Sequence, residues 1–254
     1  MKKMIAILAA AMLFWGASAS ADTLDFLKPF WMQMMDGVSN TASGKIPENV
    51  TVTCADERLT VEACGVLLEN DYSAEAHVYA VLKNTGSERL PIRSVQMTVL
   101  GANGNTLHQE NYVSYMPSVV EPGETMLVSE WMYDFVKEIG KVDSIQISVE
   151  TASRVNEKWK QLGDVRAWLD GDYLCVEFTN TTEKTLFGVI CAATVSDANG
   201  QILDMMMQSP YDTDDLGIAQ GSSIVWRKRL EDAATLKIGT DAVCKAWAYR
   251  MEDL

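Results

Sequence analysis

Apolar and polar residues alternate in short runs along most of this chain, and the same plan is written twice. In "VYAVLKNTG" the residues Val78, Ala80 and Leu82 share one parity, and in "LCVEFTNTT" Leu174, Val176 and Phe178 do. Successive residues of a strand point to opposite faces, so each run predicts a strand with one buried side. A polar turn follows, and then "RSVQMTVLGANG" and "VICAATVSDANG" set Val95, Met97 and Val99 opposite Cys191, Ala193 and Val195. Val78–Leu107 aligns with Leu174–Leu203 at a fixed offset of 96, without a gap and with nine identities in 30 positions. Asn84/Asn180, Thr85/Thr181, Leu90/Leu186 and the Ala-Asn-Gly triplet are among them.

Asn-Gly supplies the positive φ values of a tight reversal, so Asn103-Gly104 and Asn199-Gly200 are each predicted to close a β-hairpin. Farther on, the offset grows to 98, where Gly123 meets Gly221. Each copy then ends on a last predicted strand, "SIQISVE" at Ser144–Glu150 and "VCKAWAYR" at Val243–Arg250. Many short strands, frequent turn signals and no long helical period predict an all-β chain of two tandem immunoglobulin-like β-sandwich domains, 47–151 and 163–254. Residues 152–162, polar and charged around Trp159, are expected to be a linker. In 22–46, Phe26, Leu27, Phe30, Trp31, Met34 and Met35 predict a short amphipathic helix, with Pro29 in its first turn, followed by a Ser/Thr/Gly tether.

The first 21 residues carry Lys2 and Lys3, a 12-residue apolar run from Met4 to Trp15 and the small residues Ala19-Ser20-Ala21. That is the pattern of a secretory signal peptide, too short to remain as a membrane span. Cleavage after Ala21 leaves 233 residues, and no cysteine stands at that site to take a lipid. The expected location is therefore outside the cytoplasm, periplasmic or extracellular, with no transmembrane anchor. Loss of the two lysines takes the formal charge from −14 to −16. Such a surface repels phosphate backbones and anionic headgroups, which argues against nucleic-acid binding and against attachment to a membrane surface.

The repeated segments resemble the small exported bacterial Ig-like sandwiches of the FxLYD type. "LKNTGSERL", "VQMTVLGANGNTL" and "VEPGETMLV" carry the resemblance in the first copy, and "FTNTTEKTL" and "ATVSDANGQIL" in the second. Where the family pattern has Asp before the Gly-containing turn, the second copy keeps Asp197 and the first has Gly101. The resemblance implies an envelope-associated interaction module without catalysis.

Candidate chemistry is sparse. No G-x-S-x-G, H-E-x-x-H or C-x-x-C pattern occurs, and His77 and His108 are the two histidines, expected on the surface. A hydrolase built on either is the rival from another class. Asp212, Asp214 and Asp215 share one loop, but Leu216 and Ser223 stand where a Ca²⁺ loop wants acids, so no metal and no cofactor are expected. Oxidising compartments preserve disulfides, and the predicted pairs are Cys54–Cys64 across a hairpin and Cys191–Cys244, leaving Cys175 odd; the alternative for Cys191 and Cys244 is simple burial. Strand parity puts Trp168 with Arg166, and Trp247 and Tyr249 with Lys245, on polar faces. These five are the predicted binding residues, for a protein or, alternatively, a glycan of the envelope or extracellular space.

Overall fold

The computed structural model describes residues 50–69, 75–132, 141–153, 158–208, 217–231, 235 and 237–252. The expected signal peptide, N-terminal helix and tether lie outside these residues, as does the acidic loop of Asp212, Asp214 and Asp215. Among the described residues the chain is all-β, in four open sheets that stack face to face in the manner of a β-sandwich.

Sheet I contains β1 (Thr51–Cys54), β4 (Leu90–Gly101), β5 (Thr106–Glu110) and β9 (Val142–Thr151) in the order β1-β9-β4-β5, with β7 (Val119–Val120) on β4. Sheet II contains β2 (Leu59–Glu69), β3 (Glu75–Asn84), β6 (Ser114–Met116) and β8 (Thr125–Met132), ordered β2-β3-β8-β6. Sheet III contains β10 (Lys158–Leu162), β13 (Val189–Ser196), β14 (Ile202–Gln208) and β16 (Val243–Glu252), ordered β10-β16-β13-β14. Sheet IV is β11 (Val165–Asp170), β12 (Tyr173–Thr179) and β15 (Ser223–Arg229), ordered β11-β12-β15. The segment expected as a linker thus supplies a strand: β10 pairs antiparallel with β16, and Trp159 packs on the core. A polar stretch can do this at a sheet edge, where only one face needs to be apolar.

Val78, Ala80 and Leu82 from sheet II meet Val95, Met97, Val99, Ile145 and Ile147 from sheet I in one core. Leu174, Val176 and Phe178 from sheet IV share a second core with Cys191, Ala193 and Val195 from sheet III, as their parity predicts. That second core runs on between sheets III and II, where Leu67, Tyr79, Val81 and Leu127 belong to the same cluster as Ala192 and Tyr249. The layers therefore run I, II, III, IV. The two inner sheets are covered on both faces, which is why β3 and β13 read as nearly unbroken apolar runs, "AHVYAVL" and "VICAATV".

The duplication reaches the level of single hydrogen bonds. Asn84 and Asn180 are both fully buried. The Asn84 side-chain amide donates to the carbonyls of Glu88 (2.8 Å) and Val120 (3.0 Å) and accepts from the Gly86 N–H at 3.0 Å. Asn180 donates to Lys184 (2.8 Å) and Ile218 (2.7 Å) and accepts from the Thr182 N–H at 3.0 Å. Gly123 and Gly221, at φ 82° and 73°, donate to the backbone carbonyls of Asn84 and Asn180, both at 2.8 Å.

The two hairpins also match, but through a different turn from the one expected. Gly104 and Gly200 take φ 73° and 83°, whereas Asn103 and Asn199 keep negative φ. Gly104 N–H donates to Gly101 and Gly200 N–H to Asp197, beside register shifts at Val99/Leu100 and Val195/Ser196. A four-residue turn ending on a left-handed glycine needs positive φ at one residue only and builds a bulge into the strand.

Candidate functional site

The five predicted binding residues divide between two places. Strand β11 carries Arg166 and Trp168 on the outer face of sheet IV, away from every other layer. Cross-strand register puts Trp168 beside Cys175 and that beside Arg227, and Arg166 beside Glu177 and that beside Val225. The Arg166 guanidinium lies 5.3 Å from the centre of the Trp168 ring and pairs with Glu177. One step along, Arg227 sits 4.7 Å over Tyr173 and holds Asp170 at 2.6 Å. Tyr173 is 39 % exposed and Val225 47 %. Two guanidinium–aromatic stacks, each tied to a carboxylate, thus cover a rigid three-stranded platform. Cys175 is buried beneath them, on the face opposite Leu174 and Val176 as its parity predicts. Tyr173 and Arg227 went unremarked in the sequence because they join Trp168 only through cross-strand register, which strand parity alone does not supply.

Lys245, Trp247 and Tyr249 lie on β16 and face sheet II. Tyr249 is completely buried, contrary to the exposure expected of it. Its hydroxyl donates to the Thr125 carbonyl of β8 at 3.3 Å, and burial pushes its pKa up, so the group stays neutral. Tyr249 does share the face of Lys245 and Trp247. The face it points to is closed by the first repeat. Trp247 is half-buried and Lys245 exposed, and both line a cleft of about 230 Å³ between sheets III and II, with Thr194, Ser196 and Asp197 on one side and Glu62 and Val81 on the other. Beside that cleft the two layers touch backbone to backbone: a Cβ on Gly65 would fall 1.7 Å from the Ile202 carbonyl oxygen.

The same junction holds a buried polar hub. Asp204, with no exposed surface, accepts from Tyr79 Oη of β3 (3.2 Å), Lys228 Nζ (2.6 Å) and the Met205 N–H (2.7 Å). A buried carboxylate needs such partners, because its lost hydration must be replaced by hydrogen bonds. His77 is buried too, not on the surface as expected, with its ring 4.1 Å from Trp131 and Nδ1 3.3 Å from Tyr79 Oη. Strand β3 is covered on both sides, so no parity would expose it. His108 is half-buried on β5, apart from this cluster.

The cysteines are all thiols. Cys191 and Cys244 cannot pair: Cys244 stands across from Val195, four residues along β13 from Cys191, or about 13 Å at the strand rise. They take the alternative role of small apolar core residues, and burial pushes the Cys191 thiol up to about 12. Cys54 and Cys64 approach the first core from β1 and β2, which belong to different sheets and not to one hairpin. Among the described residues no group of three or more His, Cys, Asp or Glu side chains is placed to hold a metal ion. None of the described helical residues forms a helix long and apolar enough to cross a membrane.

No family model matches this chain, and no curated protein matches it in sequence. Among solved structures, the chain is similar to red sea bream transglutaminase at 13 % identity and a TM-score of 0.23, over 78 % of this chain and 30 % of that one. It spans under a third of that enzyme, and a likeness of this degree carries no argument about fold or activity.

Proposed function

We propose that this is an exported, non-enzymatic bacterial protein of two tandem Ig-like sandwich domains of the FxLYD type, and that it binds a protein of the envelope or extracellular space. The outer face of sheet IV is the docking surface in this reading. The observation that supports it is the pair of guanidinium–aromatic stacks at Arg166–Trp168 and Arg227–Tyr173 on an otherwise acidic chain. Arginine, tryptophan and tyrosine are the residues that dominate protein interfaces, because each combines a broad apolar surface with directed donors. The glycan alternative is weaker on the same geometry: a sugar stacks on a bare ring, and here a cation already lies over each.

The test is chemical crosslinking of the mature protein in its native envelope fraction, comparing wild type with the Arg166→Glu/Arg227→Glu double variant. The reading expects a discrete crosslinked partner that the double variant loses at an unchanged melting temperature. Retention on a glycan array that Trp168→Ala abolishes, with no protein crosslink, would favour the glycan alternative.

A further inference from the structure

We propose that the cleft between sheets II and III is a binding site for a small zwitterion, of the class of a free α-amino acid with an apolar side chain. This is separate from the outer face of sheet IV and does not rest on it. Register fixes the floor of the cleft: Thr194 lies across from Lys245, and Ser196 across from Val243, on the face that carries Trp247. Among the described residues the Lys245 ammonium has neither an ion pair nor a hydrogen bond, so an incoming carboxylate meets a cation with no partner to displace. The Thr194 and Ser196 hydroxyls flank it as further donors.

The same cleft also carries the opposite charge. Asp197 uses Oδ1 for the N–H groups of Asn199 and Gln201, both at 2.9 Å, and Glu62 shares its carboxylate with Lys83 at 3.2 Å. Both line the cleft, and an ammonium group is the ligand such carboxylates accept. A simple anion would be repelled by these carboxylates, a simple cation would be repelled by Lys245, and a neutral sugar would leave both charges unanswered. Val81 and the Trp247 ring add apolar contact. At about 230 Å³ the cleft has room for a ligand of the size of a single amino acid.

Titration calorimetry of the mature protein with apolar amino acids tests this, leucine first, together with 3-methylbutylamine and 4-methylpentanoate, which each lack one of its two charges. Leucine or another apolar amino acid is expected to bind, with both truncated analogues weaker by about tenfold or more. Lys245→Met, a change at an exposed site, should weaken binding by a similar factor, and Ser196→Ala by less. Arg166→Glu/Arg227→Glu should leave it unchanged, which separates this site from the outer face. The proposal is overturned if no apolar amino acid binds up to about 10 mM, if either analogue binds as well as its parent, or if Lys245→Met is without effect.

Discussion

Sheets II and IV are the same element made twice, and they end in opposite situations. Residues 96 apart occupy matching places on β3 and β12, so His77, Tyr79 and Val81 correspond to Tyr173, Cys175 and Glu177. Their cross-strand partners extend the match. Ala63, Gly65 and Leu67 on β2 stand where Arg166, Trp168 and Asp170 stand on β11. In the first repeat this face is apolar and nearly flat, with glycine at the point where the Ile202 backbone arrives, and sheet III covers it. In the second repeat the glycine has become tryptophan and the flanking residues carry charge, and the face stays open. One fold thus yields either a docking seat or a displayed surface by changing the residues on one face of two neighbouring strands. The lesson is that stacking of these layers is controlled by side-chain height and charge on one face, with the hydrogen-bonded frame held constant.

The sharpest way to break the comparison is to put a side chain on the seat. Gly65→Val drives a branched Cβ into the Ile202 carbonyl, and neither backbone can yield without opening the junction. We expect a loss of roughly 4 kcal/mol or more in urea denaturation. Next in size is the hub. Asp204→Ala takes from Lys228 its 2.6 Å partner, leaving it Glu231 at 3.9 Å and the Met205 carbonyl at 3.1 Å, and should cost about 3 kcal/mol, whereas Tyr79→Phe removes one bond to the same carboxylate and the 3.3 Å contact with His77 Nδ1 and should cost about 1 kcal/mol.

The matched asparagines sharpen the comparison from the other side, since they should behave alike. Asn84→Ala and Asn180→Ala each remove two hydrogen bonds donated to carbonyls and one accepted from an N–H, and each should cost on the order of 3 kcal/mol, within error of one another by the same denaturation assay. Converting the displayed face into a seat is a smaller change in stability. Arg166→Ala/Trp168→Gly/Glu177→Val copies Ala63, Gly65 and Val81 onto sheet IV and should alter stability by about 1 kcal/mol, yet produce concentration-dependent association in sedimentation velocity. Unchanged monomers would show that charge and height on that face do not control stacking.

The smallest expected effect separates the turns that enter β2 and β11. In the first repeat Asp56 accepts from Arg58 Nε (2.9 Å) and Nη2 (2.6 Å), and these bonds hold its carboxyl below the usual value of 3.8. A folded pKa below the unfolded one contributes stability that is present above pH 3.8 and lost as pH falls through the folded value. In the second repeat the corresponding turn has no such pair: Asp164, at φ 55°, takes the Thr181 hydroxyl at 2.7 Å instead. Arg58→Ala should therefore flatten the acid limb of the stability curve slightly, as read by thermal melts from pH 5 to pH 2.5, and remove only a few tenths of a kcal/mol at neutral pH.

Much of the frame was legible because it is local. The parity of Val78, Ala80 and Leu82 and of their counterparts 96 residues on placed both cores. The Asn-Gly pairs marked both hairpins, although the turn uses one positive φ and not two. Even the swap of Gly101 for Asp197 is absorbed locally, since Asn105 Oδ1 lies only 2.8 Å from where a Gly101 Cβ would sit.

What parity could not say is which face meets water once four layers stack. A period of two distinguishes one side of a strand from the other and is silent on whether another sheet arrives at either side. Tyr249 and His77 were misplaced for that reason, and Trp247 and Lys245 parted from Trp168 and Arg166. The sequence by itself determined most of the strands and the positions of the duplicated turns, because these depend on neighbours a few residues away. Only the tertiary structure decided that sheet II is a seat and sheet IV a display, because that depends on where Gly65 meets Ile202, two residues brought together from 137 positions apart.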